Sequence, residues 1–175
     1  MSSGFEPVGA ETKYEGKIFT VRKETFRHED GEESTREIVR HTGAVGVVCH
    51  DGASLWLVRQ PREAVGIPDL LEIPAGKLDV EGEEPLEAAK RELAEEIGKA
   101  AAEWEHLHTF FTSPGFTDEV CHVYLATGLS DASAETDEHE RIDIEVRPLA
   151  ELDAIIDEVR DSKTLIGLLE LRRRR

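Results

Sequence analysis

The stretch from Gly76 to Gly98, GKLDVEGEEPLEAAKRELAEEIG, restricts this chain more than any other part of it. It closes on Arg91-Glu92-Leu93-Ala94-Glu95-Glu96-Ile97-Gly98, with acids crowded at positions 92, 95 and 96. Like charges this close on one helix repel and destabilise it. A cation placed among them reverses the sign. Hard divalent ions such as Mg²⁺ take oxygen ligands, typically one or two carboxylates plus substrate phosphates. The segment therefore reads as a metal site built to meet a phosphate.

The helix itself is well signalled. Pro85 suits a first turn, where its missing N–H is not needed. Acids at 83, 84 and 87 suit the positive end of the helix dipole. Leu86, Ala89, Leu93 and Ile97 recur at three- and four-residue spacing and form an apolar stripe. Gly98 suits the residue just past the end. At about 100° per residue, Glu92 and Glu96 stack one turn apart beside that stripe, and Glu95 lies on the more exposed side. Arg91 is placed to reach back toward Glu87, or toward Glu83 if the preceding loop folds back.

Composition enters as a set of exclusions. A length of 175 residues suits one domain with at most a small appendage, and is enough to bury a core. A hydrophobic fraction of 39% with 7 prolines argues against disorder. The net charge of −17 argues against nucleic acid or a membrane as main partner. It also repels a phosphate substrate unless metal and placed cations intervene. No run approaches the ~20 apolar residues of a membrane span. The N-terminus, MSSGFEPVGAETKYEG, lacks a signal-peptide pattern, so a cytoplasmic location is expected. Cys49 and Cys121 sit in apolar stretches and read as buried free thiols of a reducing compartment.

The rest of the chain is mostly strands. Residues 14–28 read as a strand, Glu29-Asp30-Gly31-Glu32 as a turn and Glu33–His41 as the returning strand. Ala44–His50 reads as a buried strand, joined at Asp51-Gly52 to Ser54–Gln60. Leu70–Ile73 leads into Pro74-Ala75-Gly76. Trp104–Thr112, Val120–Ala126 and Ile142–Val146 read as strands, with Ser130–Glu140 an acidic loop. Leu149–Arg160 and Thr164–Leu171 read as helices, and the closing Arg172–Arg175 run as a flexible tail. This pattern matches an α+β sandwich.

The acidic helix resembles the Nudix box: Gly, five residues, Glu, seven residues, Arg-Glu, apolar, any, Glu-Glu, any, Gly, apolar. Here Gly76, Glu83, Arg91, Glu92, Leu93, Glu95, Glu96 and Gly98 match. Six residues rather than five separate Gly76 from Glu83, and Lys99 takes the last apolar place. The flanking stretches Leu70–Gly76 and Thr112–Glu119, with Arg36-Glu37 and Gln60-Pro61-Arg62, are similar to the ADP-ribose pyrophosphatase branch. The resemblance spans roughly residues 12–170. It implies a Nudix-type α/β/α sandwich with a mixed sheet and a small N-terminal antiparallel sheet. Residues 1–41 would be a dimerisation and substrate-binding appendage, and 42–175 the hydrolase domain.

The same resemblance, joined to the chemistry, names a site. Pyrophosphate hydrolysis needs a poised water and neutralised phosphoryl oxygens, and metal ions can supply both. Glu92 and Glu96 are the first-choice ligands. Glu95 is the third, partly through water or a shared ion, and the carbonyl of Ala75 is added by the resemblance. Mg²⁺ is the expected ion, with Mn²⁺ as substitute. The resemblance puts a general base on the loop Asp137–Glu140, with Glu140 ahead of Glu138 and Glu95 as the alternative inside the box. Arginine forks hold phosphates well. Arg62 and Arg36 are candidates, and Arg59 is a third that also fits a solvent-facing place. Glu72 would accept from the nucleoside or orient Arg62, and Pro114 and Gly115 would shape the substrate site. Phe19 and Phe116 suit either base stacking or core packing. Three functions follow: hydrolysis of ADP-ribose to AMP and ribose 5-phosphate, hydrolysis of another nucleoside-diphosphate sugar or dinucleoside polyphosphate, or non-catalytic ADP-ribose sensing. The expected assembly is a homodimer acting on a small molecule.

Overall fold

The structure, a computed structural model, describes residues 4–133 and 141–175. The chain forms two compact units. One is Met1–Gly43 with Phe111–Val120, and the other is Ala44–Phe110 with Cys121–Arg175.

The first unit is a three-stranded antiparallel sheet of β1 (Phe5–Glu15), β2 (Phe19–His28) and β3 (Glu33–His41) in that order. The β2–β3 turn falls at Asp30-Gly31, where Gly31 takes φ 85° and the Asp30 carboxylate accepts from the Glu32 N–H. Strand β1 is a correction to the sequence reading, which began the first strand at residue 14. The chain turns at Gly16, whose N–H donates to the Phe19 carbonyl, and β1 runs back to Phe5. All of β1 is exposed, so it carries none of the alternation that marks a half-buried strand. The segment 111–120 adds to this unit through Val39, whose N–H donates to the Phe116 carbonyl and whose own carbonyl accepts from the Asp118 N–H. Among the described residues here, Glu24 is the one buried side chain apart from glycine. Arg40 holds it with two nitrogens, at 3.0 and 2.6 Å.

The second unit is built on a seven-stranded mixed sheet. Its strands are β4 (Ala44–His50), β5 (Ser54–Arg62), β6 (Ile67–Glu72), β7 (Ala75–Lys77), β8 (Lys99–Phe111), β9 (Val120–Asp131) and β10 (Asp143–Pro148). The order is β10-β5-β4-β9-β8, with β6 paired to β5 and β7 to β4. Strands β4 and β9 are parallel. Helix α1 (Pro85–Ile97) packs against β4 and β7, and α3 (Ser162–Arg174) packs against β4 and α2 (Leu152–Glu158).

Strand alternation divides the core in two. Val45, Val47 and Cys49 of β4 join Ala88, Ala89, Leu93 and Ile97 of α1. Val48, with Leu55 and Leu57 of β5, joins Leu152, Ile155, Leu168 and Leu171 of α2 and α3. Each face of a strand thus feeds one helix layer, which is the period-two rule at work. Complete burial of one leucine, such as Leu93, contributes roughly 1.5–3 kcal/mol. The result is the α+β sandwich expected from the sequence. The arginine run is not a tail: α3 continues to Arg174, Arg174 pairs with Glu170 and Glu105, and Arg175 donates to the Leu149 carbonyl.

Candidate active site

The box helix forms as its sequence dictates. Pro85 sits in its first turn, and Gly98 ends it at φ 64° with its N–H given to the Ala94 and Leu93 carbonyls. Ala89, Leu93 and Ile97 are buried on the sheet side, and that registry carries Glu92 and Glu96 inward as well. Glu95 keeps a third of its side chain exposed (33%) where Glu92 keeps 12%.

Two features bring the strand before the helix against these acids. The Ala75 N–H donates to Glu96 Oε2 at 2.9 Å. Gly76 has no side chain where the Glu92 carboxylate lies, and a Cβ there would land on that carboxylate. The chain thus closes Ala75, Gly76, Glu92 and Glu96 into one cradle, in which the glycine leaves space for the Glu92 carboxylate. Its donors are all oxygen, with no cysteine or histidine, which suits a hard divalent ion.

Arg91 is the counter-charge. Its Nε and Nη2 donate to the two oxygens of Glu83 at 3.1 and 3.0 Å. Its Nη1 donates to Glu92 at 2.8 Å and to Glu95 at 2.9 Å. The bonds to Glu83 and the charge of Glu92 raise the guanidinium above its ordinary value, so it is cationic at any accessible pH. The residue inserted between Gly76 and Glu83 does not disturb this pairing. The loop before the helix is closed by Glu83 N–H on the Val80 carbonyl, with Gly82 at φ 78°. Among the described residues, no three acids, histidines or cysteines stand at metal-ligand geometry, and Glu92 and Glu95 are hydrogen-bonded to Arg91.

A second cluster lies beside the first. Glu72 is fully buried and takes Arg62 Nε at 2.6 Å and Nη2 at 2.8 Å. Lys163 donates to the same carboxylate and pairs with Asp161 at 3.0 Å. Burial pushes Glu72 up, but the hydrogen bonds from Arg62 and the charge of Lys163 outweigh it and hold the carboxyl below its ordinary range. Arg62 also feels the charge of Glu96, so the two clusters are electrostatic neighbours.

The other candidates go elsewhere. Arg59 is held by Glu145 and Glu158 and by the Asp69 carbonyl. Arg36, Pro114 and Gly115 come together in the first unit, lining a cavity of about 530 Å³ with Phe5, Phe26 and Phe116. Arg36 donates to the Thr35 carbonyl. Phe116 is more than half exposed, so it is not core. Glu138 and Glu140 lie outside the described residues. Sequence reasoning missed Lys163, Asp161 and Thr164. The Asp-Ser-Lys-Thr stretch carries a capping signal at Asp161 that would have found the start of α3, but nothing local ties it to Glu72.

The class of protein to which this fold and cradle belong is shown by comparison with known proteins. The NUDIX domain family matches residues 40–167, and the chain belongs to that family. It is 43% identical over 150 residues to the ADP-ribose pyrophosphatase of Mycobacterium tuberculosis, covering 84% of this chain and 72% of that protein. It is 37% identical over 166 residues to the ADP-ribose pyrophosphatase of Bacillus subtilis, covering 92% and 89%. A crystal structure of an ADP compounds hydrolase superposes with a TM-score of 0.87 at 25% identity, over 98% of this chain and 94% of that one.

Proposed function

We propose that this chain hydrolyses the pyrophosphate bond of ADP-ribose, with a divalent metal ion, to AMP and ribose 5-phosphate. The observation that carries the reading is the oxygen-only cradle of Ala75, Glu92 and Glu96 beside the Arg62–Glu72 pair. Glu92, Glu96 and the Ala75 carbonyl would hold the ion, with Glu95 as a further ligand, and Mg²⁺ or Mn²⁺ suits that donor set. Such an ion supplies an acidified water and neutralises phosphoryl oxygens. Arg62 spends Nε and Nη2 on Glu72, which leaves Nη1 for a substrate phosphate. Arg59 drops out of the site, because carboxylates already claim it. In the first unit, Arg36 and the phenylalanines around it offer a purine ring both a cation and aromatic walls.

Initial rates on ADP-ribose, other nucleoside-diphosphate sugars and dinucleoside polyphosphates, each with Mg²⁺ and with Mn²⁺, test the substrate. A preference for any compound over ADP-ribose in both metals overturns it. The base is assigned to Glu140, with Glu138 next. Glu140→Gln is expected to lower kcat about 10²–10⁴-fold, the range for a positioned acid–base group, with metal affinity and KM nearly unchanged. If Glu95→Gln abolishes turnover with metal affinity intact while Glu140→Gln does little, the base lies in the box.

The assembly we assign is a homodimer in the cytoplasm. Exposed Phe5, Tyr14, Ile18 and Phe19 give the first unit more apolar surface than a lone sheet needs. No helix among the described residues is long and apolar enough to cross a membrane. Light scattering that finds a fully active monomer at micromolar concentration removes the dimer.

A further inference from the structure

We propose that the first turn of α3 is a positioning element for the box site, in which Lys163 holds Glu72 against Arg62 and Thr164 holds the backbone that runs into Ala75. The inference rests on the metal-dependent reading above and extends it to a helix that contributes no ligand.

The hydrogen-bond polarity of Thr164 is determined by its partners. Its hydroxyl lies 2.6 Å from Asp161 Oδ2, which as a carboxylate only accepts, so the hydroxyl donates there. The same oxygen must then accept from the Ile73 N–H, at 2.9 Å. Thr164 is fully buried, so water does not compete for either bond. Asp161 is in turn fixed as the cap of α3, accepting from the Thr164 N–H at 2.9 Å.

The strand end gripped in this way is the one that leads into the box. Ile73 gives its N–H to α3, Pro74 takes the Val47 N–H of β4 on its carbonyl at 2.8 Å, and Ala75 gives its N–H to Glu96 of α1 at 2.9 Å. Three successive residues are tied to three different elements. Lys163 adds a side-chain tie one residue earlier, between Glu72 and Asp161. Only 15% of its side chain is exposed, so it faces its two acids rather than a ligand.

The depth at which α3 sits is set by glycine. A Cβ at Gly167 would meet Val48 Cγ2 at 2.7 Å, and one at Gly46 would meet Ile73 Cδ1 at 2.9 Å. The absence at Gly167 lets the helix approach β4, and the absence at Gly46 leaves room for the Ile73 side chain against the same strand. Stability alone does not require charge here, since well-packed apolar side chains of similar volume often serve as well or better than a buried ion pair. What the charged arrangement adds is orientation of Arg62 and of the Ala75 peptide. Partners that orient ligands in this way matter nearly as much as the ligands themselves.

The test uses Lys163→Met, Thr164→Val and Thr164→Ser in the full chain. Each is followed by thermal melting, by Mn²⁺ affinity of the substrate-free protein from electron paramagnetic resonance titration, and by kcat and KM for ADP-ribose. Thr164→Val is expected to weaken Mn²⁺ binding by about 10-fold, as for other residues that orient metal ligands. Thr164→Ser, which keeps the hydroxyl, is expected to restore wild-type affinity and kcat. Lys163→Met is expected to leave Mn²⁺ affinity unchanged and to lower kcat/KM by about 10–100-fold through Arg62. A folded Thr164→Val with wild-type Mn²⁺ affinity overturns the proposal, as does Lys163→Met with wild-type kcat and KM. If Thr164→Val does not fold, the Lys163→Met split between metal affinity and kcat/KM decides. A wild-type chain inert toward ADP-ribose overturns the substrate reading, and the Mn²⁺ arm then still decides the positioning role.

Discussion

Two acidic clusters lie side by side in the second unit, and they are balanced in opposite ways. Around Glu72, one buried acid, Glu72, and one half-buried acid, Asp161, meet two cations, Arg62 and Lys163. Around Arg91, a single guanidinium serves Glu83, Glu92 and Glu95. The first cluster is balanced in charge. The second carries surplus negative charge and keeps part of Glu95 in reach of solvent. The difference teaches what each is for. An acid buried without surplus must be paired, because an uncompensated charge in the interior is costly. Surplus acid gathered at the edge of the core suits the cation proposed above.

The largest effect expected is on stability at the balanced cluster. Glu72→Gln removes one partner of a buried ion pair, and the cost should be about 3–5 kcal/mol in chemical denaturation. The dependence on pH has a definite sign. Glu72 and Asp161 both titrate below their ordinary values of 4.5 and 3.8. Groups lowered in this way add stability that is present above those values and lost as pH falls through the lower folded ones. Unfolding free energy should therefore decline with acid below about pH 4.5 in the wild type, and less steeply in Glu72→Gln. A variant as stable as wild type at neutral pH would break the contrast between the clusters.

The surplus cluster should answer with the opposite sign. Glu92→Gln or Glu96→Gln should lower kcat at least ~10²-fold, the scale of a lost electrostatic contribution at the reacting centre. The metal-free melting temperature should hold or rise, because like-charge repulsion along the helix is relieved. Near-normal turnover in both variants removes the metal assignment, and a large fall in melting temperature makes the box a structural cluster like that of Glu72.

Gly76→Ala should give the smallest effect and sharpens the comparison. The new Cβ displaces only the end of the Glu92 side chain. Metal affinity should fall by roughly 10–100-fold, as when a ligand loses its orientation, with little change in melting. Equal loss of stability and affinity would show that the cradle holds the fold rather than an ion.

The box side of this contrast is legible in the sequence. The box helix depends on local signals: a proline start, a glycine stop and an apolar stripe that fixes which acids turn inward. The Arg91–Glu83 pairing spans eight residues and was within reach of the same reasoning. Strand β1 was not legible, because it buries neither face and so shows no alternation. Nor were the partners of Glu72, since Lys163 and Thr164 lie 91 residues from the groups they hold.

The sequence by itself therefore determined the spacing of Glu92, Glu95 and Glu96 and the sign of the charge they gather, because a helix converts spacing into direction with a fixed period. Tertiary structure decided which cations the other acids receive. Arg59 and Arg62 stand three residues apart on β5, yet one is taken by Glu145 and Glu158 and the other faces Glu72 beside the box. A register irregularity lies between them, between Gln60 and Arg62. The strand alternation that offers Arg59 a solvent-facing place names the carboxylate partners of neither arginine. Their roles depend on which distant carboxylate is buried where the strand ends, and burial is set only when the sheet and its two helix layers close together.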